Sequence, residues 1–126
     1  MTRGLERGSA PVEFALVGVL LVAVALAVLQ IAFVAHIRAV AIDSAIAGAA
    51  HAALADTTDS EGVIRATELV TSGIAASLVR SVSVSSSETA GKAIASVTIR
   101  LAVPAIGPLL TIAETEVTGR AFREAP

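Results

Sequence analysis

The chain has 126 residues, a net charge of −2 and no cysteine. These features exclude a disulfide scaffold, a thiolate metal site and a cysteine nucleophile. They also argue against a nucleic-acid surface, which needs clustered Lys and Arg. Hydrophobic residues make up 55% of the chain, but only three are Phe and none is Trp or Tyr. Ala and Val supply most of the fraction, so a core built from them is thin, and stabilisation by a membrane or a partner is expected.

Met1 to Gly8 reads as a short leader. Arg3, Arg7 and the terminal amine outweigh Glu6, so the positive-inside rule keeps this end cytoplasmic and places the C-terminal part outside the membrane. From Phe14 to Ile37 the chain carries no Asp, Glu, Lys or Arg. As a helix this stretch spans roughly 36 Å, enough to cross a hydrocarbon layer of about 30 Å.

Three readings fit the apolar stretch. One is a cleaved secretory signal, with Ala23-Val24-Ala25 and Ala25-Leu26-Ala27 as small-x-small sites. Its apolar run, however, exceeds the usual length of such a segment. The second is a plain signal anchor. The third, favoured by the residues around Gly8, is a leader cut ahead of a retained helix. Gly8 offers an unhindered peptide bond at the membrane face. Pro11 suits the first turn of a helix, and Glu13 complements the dipole there. If cutting follows Gly8, Ser9 becomes the new N-terminus. A carboxylate beside lipid is costly unless paired, and the new α-amino group is the natural partner of Glu13.

In Arg7-Gly8-Ser9-Ala10-Pro11-Val12-Glu13-Phe14-Ala15-Leu16 the sequence resembles the start of TadE-like proteins, pilin-like minor components of the bacterial Tad (Flp-type) pilus machinery. The resemblance implies cleavage between Gly8 and Ser9 by a membrane prepilin peptidase. It implies other pilins and the pilus assembly platform as partners, and a pilin-like fold. It continues more loosely through Asp43 and Gly48-Ala49-Ala50 to Phe122-Arg123-Glu124. The major Flp pilin is a much shorter chain, so the length favours a TadE or TadF type.

Ile42, Ala45, Ile46, Ala49, Ala53 and Leu54 recur at three- and four-residue steps and extend the helix as an apolar stripe. Asp43, Ala47 and His51 lie on another face. A helix from Pro11 to about Leu54 spans roughly 65 Å. Ile42, Ile46, Ala49 and Ala53 are the expected helix-packing face, because small residues permit close approach. Asp56 to Ser60 is a polar break, and Thr58 with Glu61 fits a capping box. A second, amphipathic helix is expected from about Ser60 to Arg80, with Val63, Thr67, Val70, Ile74 and Leu78 as its apolar face.

Period two follows. Val82 and Val84 alternate with serines, Ser86 to Gly91 reads as a turn, and Lys92 to Val103 is the clearest strand. In it Val97, Ile99, Leu101 and Val103 face one way, and Ser96, Thr98 and Arg100 the other. Pro104 ends it, Pro104 to Pro108 reads as a loop, and a last strand is expected over about Thr115 to Arg123. The expected fold is α+β: a leader over 1–8, a membrane-crossing and protruding helix over 9–56, and a helix packed on a small antiparallel sheet over 57–126.

Catalytic chemistry has no foothold in these patterns. His36 and His51 are separated by about four helical turns and cannot share a metal within one chain. No serine sits in G-x-S-x-G or S-x-x-K, and no phosphate-binding glycine motif occurs. Glu114 and Glu116 fall on one face of a strand, where a solvated edge is the ordinary role. No cofactor, metal or nucleic acid is expected. The competing functional class is a small membrane-anchored or secreted binding domain or enzyme unrelated to pili.

Overall fold

The computed structural model describes residues 2–104 and 112–124. The fold is α+β, with a long apolar N-terminal helix, a second helix and a three-stranded antiparallel sheet. Helix α1 covers Thr2–Ala52 and helix α2 covers Asp59–Gly73, followed by a 3₁₀ turn at Ala76–Leu78. Strands β1 (Val79–Thr89), β2 (Lys92–Pro104) and β3 (Ile112–Phe122) form a meander in the order β1-β2-β3. Two compact units divide the chain, one ending at Phe33 and the other beginning at Val34.

Helix α1 begins at Thr2, so Pro11 lies inside it rather than in its first turn. From Ile37 onward, α1 is a core element of the second unit. Ile37, Ala41, Ala45 and Ala49 are fully buried, and Ala53 just beyond the helix is nearly so. That four-residue repeat, flanked by Ser44, Gly48 and Ala52, is the true inward face. It differs from the sequence stripe at its bulkiest members, since Ile46 is 48% exposed and Leu54 39%. Alanine occupies the interior because the neighbouring backbones come too close for anything larger.

The α1–α2 crossing shows how close. A Cβ built on Gly48 would lie 2.6 Å from the Ala66 Cβ and 2.9 Å from the Gly62 carbonyl oxygen. One built on Gly62 would lie 2.5 Å from the Ala52 Cβ and 2.9 Å from the Gly48 carbonyl oxygen. The two glycines thus open the same contact from opposite sides. The sheet meets α1 equally tightly. A Cβ on Gly119 would stand 2.3 Å from the backbone carbon of Ala45 and 2.3 Å from the nitrogen of Ile46. The sheet therefore rests on α1 as well as on α2, not on the second helix alone.

Thr58 caps α2 as expected. Its side chain accepts from the Glu61 amide at 3.3 Å, and the Glu61 carboxylate accepts from the Thr58 amide at 2.6 Å. The helix ends at Gly73, about two turns before the expected Arg80. Ile74 adopts extended backbone angles, and its N–H closes the helix on the Val70 carbonyl. Gly73 is a weak helix former, and its position lies against Val40, where a Cβ would come within 2.5 Å of Cγ1. Val79 and Arg80, expected in the helix, instead open strand β1, and Val82 and Val84 follow in it as expected. Ile74 and Leu78 still pack on the core, but from outside the helix. The helix buries Gly62, Ala66 and Val70, so the inward face is centred on small residues rather than on Val63 and Thr67.

In the sheet, Val82 pairs with Ile99 and Val84 with Val97 on one side, and Val117 and Gly119 continue the rows on the other. Ala95, Val97, Ile99, Leu101 and Val103 are buried on the helix-facing side. The turn expected from Ser86 to Gly91 contracts to Ala90 and Gly91, because β1 stays paired through Thr89 opposite Lys92. Both turn residues have positive φ, 54° and 78°, as a two-residue hairpin with the strands' own twist requires. Pro104 is the last residue of β2 and pairs with Ile112, and the rest of the proline loop lies outside the described residues.

Substitution of Gly119 by Ala is expected to destabilise the fold by about 1–3 kcal/mol, near the upper end, because the obstruction is backbone that cannot rotate away. Gly48→Ala, facing a side-chain methyl as well as a carbonyl, is expected to cost less. Chemical unfolding of the two variants against the parent protein measures the order.

The Glu61 carboxyl is held below its ordinary value of 4.5, chiefly by the Thr58 backbone hydrogen bond and then by the Thr58 hydroxyl. A depressed carboxyl contributes stability above its unfolded value and loses it as pH falls through the folded one. Acidification from about pH 5 towards pH 3 is therefore expected to loosen the first turn of α2. The exchange rate of the Thr58 amide reports this directly, and Glu61→Gln should flatten its pH dependence.

Candidate functional site

Gly8, Ser9, Glu13 and Phe14, expected from the sequence to carry cleavage and pairing with the new N-terminus, all lie in the first unit, on α1. Gly8 and Ser9 are consecutive helical residues, and Ser9 is exposed. Glu13 is exposed one helical turn further on, and Phe14 beside it is 82% exposed. Behind them comes an unbroken apolar surface. Val12, Leu16, Leu20, Leu21, Val24 and Ile31 are all more than half exposed. Ser9–Ala52 contains a window long and apolar enough to cross a membrane, and none of that window is buried within the chain. In water such a surface is unfavourable at about 25 cal/mol per Å². A lipid phase or partner helices would remove that cost. Among the described residues Glu13 makes no ion pair.

Of the expected helix-packing residues, Ala49 and Ala53 pack in the chain's own core and Ile42 is half-buried against it. Ile46 alone is largely open. Both histidines lie on α1, His36 exposed and His51 half-buried in the last turn. Among the described residues no cluster of three or more His, Cys, Asp or Glu side chains could hold a metal. Glu114 and Glu116 are exposed on β3, and Glu116 pairs with Arg100 at 3.5 Å across the strands.

Arg123 gathers three elements, which no local pattern announces. Its guanidinium donates to the Ala52 carbonyl at 3.1 Å, to Asp59 at 2.5 Å and to Ser86 Oγ at 2.7 Å. The adjacent Glu124 amide donates to the Ala53 carbonyl at 2.9 Å. The end of α1, the start of α2 and strand β1 are thereby tied to the segment that follows β3. The local sequence offers only an arginine just after a mixed strand, and Asp59 lies 64 residues away.

No family model, no curated protein and no solved structure matches the chain.

Arg123→Ala is expected to lower stability by about 1–3 kcal/mol, since it leaves the Ala52 carbonyl and Asp59 without their donor. Arg123→Lys should recover less than half, because one ammonium cannot reproduce the fork that reaches three acceptors. Thermal unfolding of both variants checks this.

Proposed function

We propose that this chain is a pilin-like minor component of a bacterial Tad/Flp pilus assembly system. In this reading a prepilin peptidase removes the leader between Gly8 and Ser9. The helix behind it stays in the mature protein, crosses the membrane, and assembles with other pilins and the assembly platform. The N-terminal end is cytoplasmic and the sheet-bearing unit is outside. The work of the protein is assembly rather than catalysis.

The observation that supports this best is the order Gly8, Glu13, Phe14 at the head of a helix whose membrane-length apolar window is not buried within the chain. A secretory signal would discard that surface. A plain anchor has no need of a glycine five residues ahead of an acid. After cleavage, the amine of Ser9 lies one helical turn from the Glu13 carboxylate. That amine, or a neighbouring subunit's, neutralises the carboxylate within the membrane.

Intact mass of the protein extracted from membranes tests the reading. The expected mass corresponds to a chain beginning at Ser9, dependent on a prepilin peptidase in the same cells. Gly8→Ala is expected to block processing by at least tenfold. Glu13→Ala is expected to be processed but to assemble poorly. A chain retaining Met1, or one beginning beyond about Ala25, would replace this proposal with an anchored or secreted module.

A further inference from the structure

The sheet turns one face to the helices and the other outward, and the outward face is chemically uneven. At the end near the β1–β2 hairpin, Ser85, Ser96 and Arg120 form one cross-strand row, and Ser87, Ile94 and Phe122 form the next. The Thr98 and Thr118 hydroxyls, 3.2 Å apart, close the far side. All of these except Phe122, together with Thr89, line a groove of about 430 Å³. A smaller apolar hollow of about 160 Å³ adjoins it, where Ile94 and Arg120 continue to Ala121 and Phe122.

Arg120 is the one charged residue in the groove lining, and Glu88 of the same hairpin end pairs with Ala93, in register with the helix-facing row. Arg120 is exposed and forms no ion pair among the described residues. Lys92 sits with its ammonium 5.7 Å from the centroid of the Phe122 ring, and that ring is 65% exposed. No carboxylate lines the groove. The acids of the same face, Glu114 and Glu116, lie at the opposite end of the sheet, and Glu116 is already paired to Arg100.

We propose that this groove binds an acidic polysaccharide, with a sugar carboxylate on Arg120 and ring hydroxyls on the serine and threonine rows. Ser and Thr hydroxyls both donate and accept, as sugar hydroxyls do, so the rows can pair with a polyhydroxylated chain in either sense. Arginine matches a carboxylate with two parallel donors. The phenyl ring of Phe122 offers an apolar platform for the C–H face of a pyranose, and its quadrupole favours the positive edges of C–H bonds. A bare phosphate would use Arg120 and Lys92 but leave the hydroxyl rows and the ring idle. The assignment does not depend on the pilus reading, since it uses only the second unit.

The test titrates the full-length protein in detergent micelles with polygalacturonate, and separately with dextran as an uncharged sugar polymer. Saturable binding of polygalacturonate with far weaker binding of dextran is expected. Arg120→Ala should weaken it by about tenfold or more, and Phe122→Ala by several-fold. Arg65→Ala, which removes a cation of α2 outside the groove, should leave it unchanged. The proposal is overturned by absence of binding, by equal weakening in the Arg65 variant, or by displacement with inorganic phosphate at matched charge. It is also overturned by self-association without polymer that Arg120→Ala abolishes, which would assign the face to a second copy of this chain.

Discussion

The second unit depends on a single condition: two helices and a sheet must approach until backbone touches backbone. Gly48 and Gly62 permit this between the helices, and Gly119 permits it between the sheet and α1. A chain with few large side chains cannot fill a wide interior. It can instead close the interior, so that small residues make many short-range dispersion contacts in place of a few large ones. The alanines at 41, 45, 49 and 66 serve that arrangement. The largest fully buried side chains are Ile37, Val70, Val97, Ile99 and Leu101.

This condition explains which features are legible in the sequence and which are not. The apolar stretch from Phe14 announces itself by length and lack of charge. The capping box at Thr58 and Glu61 and the alternation in β2 follow local rules of hydrogen bonding and pleat, and both appear where those rules put them. The inward face of α1 leaves little trace in the sequence because alanine surrounds the helix on nearly every side. With the apolar signal spread so evenly, the bulkier Ile46 and Leu54 draw attention to a face that is partly open. Which alanine lies inward depends on glycines in other elements, and those contacts are not local.

The hairpin and the arginine tie fail to show for related reasons. Ala90-Gly91 lacks the asparagine that usually marks positive φ at the first turn position. Pairing along the whole length of β1 nevertheless forces Ala90 to φ 54°. Asp59 and Arg123 become neighbours only when the sheet is laid against both helices. In the first unit the situation differs, because the residues that carry the functional reading are adjacent in the chain. Gly8, Ser9, Glu13 and Phe14 need no tertiary fold to be brought together, so in the proposed reading a peptidase could act on them before the rest folds.

The placement of Gly119 and Arg123 also fixes an order of events during synthesis. The Ala52 carbonyl waits for a guanidinium 71 residues downstream, and Ala45 waits for the strand that ends at Phe122. At about 5–20 residues per second, translation leaves the inner face of α1 uncovered by its final strand for roughly 4–14 s. The helices and the β1–β2 hairpin can form in that interval, since their contacts are local. Closure of the last strand against α1 can follow only after that strand is made. A nascent chain of this composition therefore presents an alanine-lined, weakly apolar face to its surroundings for seconds, where a leucine-lined face would be far more prone to stray association.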